Sequence, residues 1–321
     1  MRRAIWGLIA AGTVVRVVLA FTTDGQPYDI EFLRDLRAGL GDAPIDVYSI
    51  LMGPDDAVRW PYPSGFFPFA ALAGAAADVT GLAYTSLVRL PAILADAAIA
   101  WVVQDALGRR GFGDRERLAA TALVALGPSF AVISGYHGQI DSLAILPAVI
   151  AVAIWDRAPA DRRALYAGLL IGAGACVKTT PIFMLLALLP AVRSWREAGT
   201  LVGAAAAVSV AAMAPFLLST PGDVREAVQY KGFPGTSGLS ILLQPELGEQ
   251  LTRLVQPNGV VDFIYDRGQV IVVLALVAVA AFTARRFPDW APAERASLLW
   301  LTFYIVTPVF FFQYLVWACR S

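Results

Sequence analysis

Lys178 is one of two lysines in the sequence, and it lies in the stretch Lys178-Thr-Thr-Pro181 between two apolar segments. Its ammonium could bind an anionic phosphate, with the hydroxyls of Thr179 and Thr180 donating further hydrogen bonds. The side chain could equally extend towards water at a membrane interface and have no further role. Arginine supplies 23 of the 25 basic residues, so a lysine at this position is unusual. This bias alone does not distinguish a phosphate ligand from an interface residue.

The stretch GYHGQIDS, residues 135–142, also places polar side chains between two apolar segments. A carboxylate so close to hydrocarbon is costly, which makes Asp141 a functional candidate by default. The alternative is that Asp141 and Ser142 only cap the helix that follows. Both interpretations stay open from the sequence.

Two more carboxylates, Asp29 and Glu31, lie in the polar segment 22–65. From residue 28 to residue 40 the apolar side chains recur at helical spacing, which predicts an amphipathic helix on the membrane surface. Asp29 and Glu31 fall at the start of this helix, where the N-terminus favours carboxylates. On spacing alone, Asp29 could therefore be only a helix-capping residue.

Two further segments contain residue types that ligand sites use. Residues 59–69, RWPYPSGFFPF, are typical of an aromatic belt at a membrane interface, and a lipid-headgroup pocket is the alternative. Residues 230–240, YKGFPGTSGLS, indicate either an ordinary flexible connection or a lid over a site. The sequence contains no Walker A, G-x-S-x-G, H-E-x-x-H or C-x-x-C pattern, so an ATPase, a serine hydrolase or a zinc protease is unsupported.

The scaffold that positions these residues must lie in a membrane, because the composition is too apolar for a soluble protein. Of the 321 residues, 58% are hydrophobic and 16% are charged, whereas soluble domains carry about 25% charged residues. Two cysteines exclude a disulfide scaffold, one histidine disfavours a histidine metal cage, and the zero net charge gives no nucleic-acid footprint. The sequence predicts an all-α polytopic membrane protein with a single membrane domain over residues 1–321.

Nine apolar segments could cross a hydrocarbon core of ~30 Å, several of them as short or interrupted helices. The predicted crossings are 5–21, 84–107, 117–134, 141–155, 164–177, 181–193, 199–218, 267–284 and 296–313. Arg16, Arg89 and Asp96 are charged residues within or near them, and mutual neutralisation inside the bundle is the simplest interpretation.

The distribution of basic residues predicts the orientation, because short cytoplasmic loops collect Arg and Lys. If residues 66–77 do not cross the membrane, 14 of the 25 basic residues lie on one side, in or beside five short loops. Those loops are 1–4, 108–116, 156–163, 194–198 and 285–295. We therefore expect 66–77 to be re-entrant or interface-lying, the N-terminus to be cytoplasmic, and the polar segments 22–65 and 219–266 to lie outside together.

In this arrangement the chain resembles integral-membrane glycosyltransferases of the GT-C fold that use polyprenyl-phosphate sugars. It is most similar to polyprenol-phosphate-mannose-dependent mannosyltransferases, including glycosylphosphatidylinositol mannosyltransferase I-like enzymes. Asp29-Ile-Glu31-Phe32 resembles their Asp-x-Asp-type motif and Tyr62-Pro63-Ser64 their Tyr-Pro-Pro motif, with Glu31 and Ser64 as departures. The other family-like motifs are Gly138-Gln-Ile-Asp141, Lys178-x-x-Pro181, Gly238-Leu-Ser240 and Gln313-Tyr-Leu-x-Trp317. The resemblance implies a GT-C-like bundle of about nine or ten transmembrane helices with an amphipathic first outer loop.

The resemblance also implies a reaction: inverting transfer of a hexose, with mannose as the first candidate, from a polyprenyl-phosphate donor to a lipid or glycan acceptor. Asp29 would be the general base, and Glu31 would support it or help bind a divalent cation, Mg²⁺ or Mn²⁺. The expected ligands of the donor phosphate are Lys178, Arg59 and Lys231. The expected substrate-binding residues are Tyr62, His137, Gln139, Asp141, Gln313 and Tyr314. The expected location is the outer face of the plasma membrane, in contact with membrane lipids and without nucleic acid.

Two other classes of function stay open. A transporter or lipid flippase often has internal repeats and a site near mid-membrane; no convincing repeat is visible, but Asp96 and Arg16 would fit such a site. A non-catalytic protein that kept the fold after losing activity would fit a chain that stops shortly after Trp317.

Overall fold

The computed structural model describes residues 1–52, 60–230, 238–249 and 256–308, and all regular elements within these ranges are helices. The predicted all-α polytopic class is confirmed. Among the described residues, five helical stretches are long and apolar enough to cross a membrane. They are Arg2–Thr22, Tyr84–Arg109, Asp114–His137, Trp195–Ser219 and Gly259–Arg286. Three shorter apolar stretches are Asp141–Ile154, Arg163–Val177 and Thr180–Ala191. The larger number of nine or ten crossings stays a prediction.

The α-helices up to residue 177 are α1 (Arg2–Thr22), α2 (Pro27–Asp42), α3 (Val47–Ile50), α4 (Phe67–Thr80), α5 (Tyr84–Leu87), α6 (Leu90–Arg109), α7 (Asp114–Leu126), α8 (Pro128–Ala131), α9 (Asp141–Ile154) and α10 (Arg163–Val177). Those after it are α11 (Met184–Leu188), α12 (Trp195–Ser219), α13 (Pro221–Gln229), α14 (Leu239–Leu243), α15 (Gly259–Arg286) and α16 (Pro292–Val306). Short 3₁₀ turns cover Ser64–Phe66, Thr180–Phe183, Leu189–Ala191 and Pro245–Glu249, and a π-helical turn covers Val132–His137.

The described residues form two compact units. The first comprises residues 1–182 and 199–230, and the second comprises the described parts of 183–198 and 231–308. In the first unit, α6 packs against α7 and α9, α10 packs along α9, and α1 packs on α6 and α7. In the second unit, α15 and α11 pack against α16. The single membrane domain stays a prediction.

The amphipathic helix predicted in the polar segment 22–65 is confirmed as α2, Pro27–Asp42. Its apolar stripe of Ile30, Leu33 and Leu36 is buried, and it packs on α4 in one cluster with Phe67 and Ala70. Protein therefore covers the side of the helix that the sequence pattern assigned to the membrane surface.

Helix α4 occupies the stretch predicted to be re-entrant or interface-lying. At 14 residues and a rise of 1.5 Å per residue it is about 21 Å long, short of the ~30 Å needed to cross the hydrocarbon core. Its buried side faces the same cluster as α2, while Leu72 and Val79 are exposed. The side of the membrane on which it lies stays a prediction.

Candidate active site

An unusual turn brings two polar side chains of the GYHGQIDS stretch to one place. The π-helical turn Val132–His137 ends at Gly138, whose φ of 80° lies in the left-handed region that favours glycine. A Cβ at Gly138 would also lie 3.2 Å from Ile30 and 3.3 Å from Leu33 on α2. Single π-helical turns occur frequently at functional sites. The turn closes against α2 and presents His137 and Gln139 to the start of that helix.

Asp29 receives two side-chain hydrogen bonds from this turn. Gln139 Nε2 donates to Asp29 Oδ1 over 2.6 Å, and His137 Nδ1 lies 2.9 Å from Asp29 Oδ2. The backbone N–H of Asp29 donates to Gln26 Oε1 over 2.8 Å, so Gln26 is the residue that caps α2. The interpretation of Asp29 as only a capping residue is therefore wrong. Its carboxylate is held instead at the junction of two chain segments, with 16% of the side chain exposed.

Lys178 lies directly after α10 and forms a buried ion pair. Its Nζ is 2.8 Å from Asp141 Oδ1, with 9% and 0% of the two side chains exposed. The same Nζ lies 4.9 Å from the centre of the Tyr62 ring, a cation–π distance. The ammonium therefore does not extend into water, and Asp141 is more than a cap for α9. Buried charges of this kind are stable only when they are paired.

Tyr62 is the common neighbour of both charged groups. Its ring contacts Lys178 and it lines a small recess together with Asp29. Tyr48 Oη donates to the carbonyl of Tyr62 over 2.9 Å, which fixes the backbone. Burial raises the pKa of the Tyr62 phenol well above its usual range, and the carboxylates of Asp141 and Asp29 raise it further. The phenol is thus neutral near pH 7 and can donate a hydrogen bond.

The recess beside Asp29 is small, about 20 Å³, which accommodates about one water-sized group. A sugar ring must therefore lie at its mouth or widen it. Its lining residues are Asp29, Phe32, Leu33, Trp60, Tyr62, Gly138, Gln139 and Ile140.

Trp60 is the lining residue that the sequence analysis did not single out. It is 2% exposed, and its indole N–H has no hydrogen-bond partner among the described residues. Its ring packs edge-on against Tyr62, with 5.2 Å between the ring centres. The only sequence signal was the stretch RWPYP, which is equally typical of an aromatic belt.

Glu31 does not join Asp29. Residues two apart on a helix point about 200° away from each other, and Glu31 is exposed while Asp29 faces the recess. A divalent cation held jointly by these two carboxylates does not fit this geometry. Among the described residues, no group of three or more His, Cys, Asp or Glu side chains could hold a metal ion. Arg59, Lys231, Gln313 and Tyr314 lie outside the described residues.

A buried polar network stabilises the π-helical turn from inside the helix bundle. Asp96 on α6 lies 2.9 Å from Arg16 on α1, as the opposite charges predicted, and both are at most 2% exposed. The hydroxyls of Ser134, within the turn, and Ser142, at the start of α9, each donate to Asp96 over 2.5 Å. Arg89 donates to the Gly135 carbonyl over 3.0 Å. The Arg16–Asp96 pair is thus part of the support for the site.

The comparison with known families fits this arrangement. The sequence profile of glycosyltransferase family 87 matches residues 60–312, well over half of the chain. The chain belongs to glycosyltransferase family 87. It is therefore a multi-pass membrane glycosyltransferase of the GT-C type. A comparison with curated proteins gave no match.

The family 87 match covers Tyr62, the turn with His137 and Gln139, and Lys178, and it begins after Asp29. The place of Asp29 in the site therefore depends on its contacts with residues inside the matched range.

Proposed function

We propose that this family 87 member transfers a hexose, with mannose as the first candidate, from a polyprenyl-phosphate donor to the hydroxyl of a lipid or glycan acceptor. The observation that carries the proposal is that an oriented carboxylate, Asp29, and a buried ammonium, Lys178, both lie beside Tyr62. Transfer from a sugar phosphate needs one group of each charge.

Asp29 is the general base in this proposal. Gln139 and His137 each hold one of its two oxygens, so the carboxylate has a fixed direction towards the recess. A positioned base of this kind contributes typically ~10²–10⁴-fold to the rate. The neutral Tyr62 phenol cannot accept the proton, so it can only orient a substrate oxygen.

Lys178 stabilises the leaving group. When the bond between the anomeric carbon and the phosphate oxygen breaks, its electron pair stays on the polyprenyl phosphate, whose growing charge needs a nearby cation. Asp141 and the Tyr62 ring hold the ammonium in a site of low dielectric, where electrostatic interactions are strong.

The reaction is a single displacement with inversion. The acceptor oxygen attacks the anomeric carbon, its proton passes to an Asp29 oxygen, and the phosphate leaves from the opposite side. One base and one cation are sufficient for this step, and no residue is required as a covalent nucleophile. The proposed location is the outer face of the plasma membrane, with the N-terminus in the cytoplasm.

The test measures transfer of radiolabelled mannose from polyprenyl-phosphate mannose to an acceptor extract by the purified protein. Asp29→Asn keeps the size of the side chain and removes the base, so we expect kcat to fall ~10²–10⁴-fold. Asp35→Asn, on the same helix, is the matched control and should retain activity. If the Asp29→Asn variant transfers label as fast as the wild type, Asp29 is not the base.

A further inference from the structure

Asp96 on α6 is a buried carboxylate that the proposed reaction does not use. Arg16 Nε on α1 donates to it over 2.9 Å, and both side chains are at most 2% exposed. The hydroxyls of Ser134 and Ser142 donate to the same carboxylate. Hydrogen bonds to an ionised acceptor are among the strong ones, so these bonds fix its orientation. The informative feature is where the two serines lie in the chain, because each belongs to a different side of the proposed site.

Ser134 connects Asp96 to the base side of the site, by which we mean Asp29 with His137 and Gln139. It lies in the π-helical turn, three residues before His137. Its hydroxyl donates to Asp96 Oδ2 over 2.5 Å. The same stretch of chain holds Asp29 through His137 Nδ1 at 2.9 Å and Gln139 Nε2 at 2.6 Å. A shift of Ser134 would therefore move the groups that orient the base.

Ser142 connects Asp96 to the cation side of the site, which consists of Asp141 and Lys178. It follows Asp141 at the start of α9, and its hydroxyl donates to Asp96 Oδ1 over 2.5 Å. Asp141 Oδ1 in turn lies 2.8 Å from Lys178 Nζ. Both serines are fully buried, so water does not compete for their bonds. The segment 135–141 is thus anchored at both ends by one carboxylate.

We propose that Asp96 is a positioning residue that sets the spacing between the base side and the cation side, with one carboxylate oxygen for each. The inference rests on the proposed function, in which proton transfer to Asp29 and departure of the phosphate beside Lys178 belong to one displacement. Because both events share a transition state, an error in their spacing slows the reaction even when each group is intact. A misplacement of 1 Å can cost about 10²-fold in rate. Asp96 itself does not touch the substrate.

The experiment compares Ser134→Ala and Ser142→Ala with the wild type in mannose transfer, in binding of polyprenyl phosphate and in thermal unfolding. Each variant removes one hydrogen bond to Asp96 and keeps its pairing with Arg16. Ser134→Ala should lower kcat about tenfold and leave polyprenyl phosphate binding unchanged, because only the base side is loosened. Ser142→Ala should weaken polyprenyl phosphate binding about tenfold, because the ammonium that contacts the phosphate is less well held.

His137 provides a readout that does not depend on transfer, because it is the only histidine in the sequence. In protein labelled with ¹⁵N-histidine and purified through a histidine-free tag, the ring signals report the contact between His137 Nδ1 and Asp29. Ser134→Ala should shift the Nδ1 signal, and Ser142→Ala should leave it at its wild-type position. A wild-type protein that transfers no mannose would contradict the proposed function, whereas this shift still tests whether Asp96 positions the turn.

Thr121→Val is the matched control for the loss of a buried hydroxyl. Thr121 on α7 is fully buried in the same unit, and its hydroxyl donates to the carbonyl of Arg117 over 2.7 Å rather than to Asp96. The variant should lower the unfolding temperature and keep transfer, phosphate binding and the His137 signal.

Two outcomes would overturn the positioning role of Asp96. The first is that Ser134→Ala and Ser142→Ala lose transfer and polyprenyl phosphate binding in the same proportion, or that Thr121→Val matches their losses, because a general loosening of the bundle would have that effect. The second is that the Nδ1 signal of His137 stays unchanged in Ser134→Ala, since the turn would then hold its place without Asp96.

Discussion

At the scale of single residues, Lys178 and Asp141 each need the other as a counter-charge, because both side chains are buried. Removing one partner leaves an uncompensated charge, which typically costs about 3–5 kcal/mol, whereas an apolar pair of similar volume is often tolerated. We expect Lys178→Met and Asp141→Leu each to destabilise the protein strongly, and the double variant to recover much of the loss. Chemical unfolding in mixed micelles measures this.

The same variants separate stability from activity. The double variant should regain stability without regaining mannose transfer, because it still lacks the cation that stabilises the leaving phosphate. A double variant whose loss equals the sum of the single losses would mean that the two residues do not interact. A stable double variant with full activity would remove Lys178 from the proposed mechanism.

Sequence motifs found most of the residues of the site but not their contacts. Asp29, Tyr62, His137, Gln139, Asp141 and Lys178 were all predicted, and the described structure brings them together. The bond between Lys178 and Asp141 joins residues 37 positions apart. Neither helical spacing nor burial patterns specify such a pair. Within the described ranges the buried Trp60 indole has no hydrogen-bond partner, which is a product of packing that a single sequence does not show.

Gly138 controls the position of a whole element, the turn between Val132 and Asp141. Its backbone is left-handed, and a Cβ there would press on Ile30 and Leu33 of α2. We expect Gly138→Ala to cost about 1–2 kcal/mol and to displace His137 and Gln139. A misplacement of 1 Å can cost about 10²-fold in rate. Mannose transfer and thermal unfolding of the same preparation measure both effects.

Gly81 provides the control for this prediction. Its φ of 71° imposes a similar backbone strain, but a Cβ there would meet no atom within 4 Å. Gly81→Ala should therefore lose similar stability and keep its activity. If both variants transfer mannose at the same rate, the turn does not position the site.

Hydrophobic periodicity predicted where the helices lie in the sequence better than it predicted which elements pack against them. The prediction of an apolar stripe on α2 was correct. Its contact with α4, however, depends on residues 40 positions further along the chain. The π-helical turn at Val132–His137 was not predicted, because residues distant in the sequence hold it: Ser134 in the turn donates to Asp96, and Arg89 donates to the Gly135 carbonyl.

The distribution of charge over the whole molecule leads to a prediction about its orientation. Arg109, Arg110, Arg115 and Arg117 flank the turn between two candidate spans, Tyr84–Arg109 and Asp114–His137. Because short cytoplasmic loops collect arginine, this turn should face the cytoplasm and the opposite end of the first span should face outward.

Cysteine labelling at the two ends of that span tests the orientation. Phe112 and Leu82 are both 47% exposed, so they form a matched pair. In a background with Cys176→Ser and Cys319→Ser, Leu82→Cys should react with a membrane-impermeant maleimide in intact cells. Phe112→Cys should react only after the cells are permeabilised. The reverse pattern would place Asp29 and Lys178 on the cytoplasmic side, where the donor would have to present its sugar to the inner face.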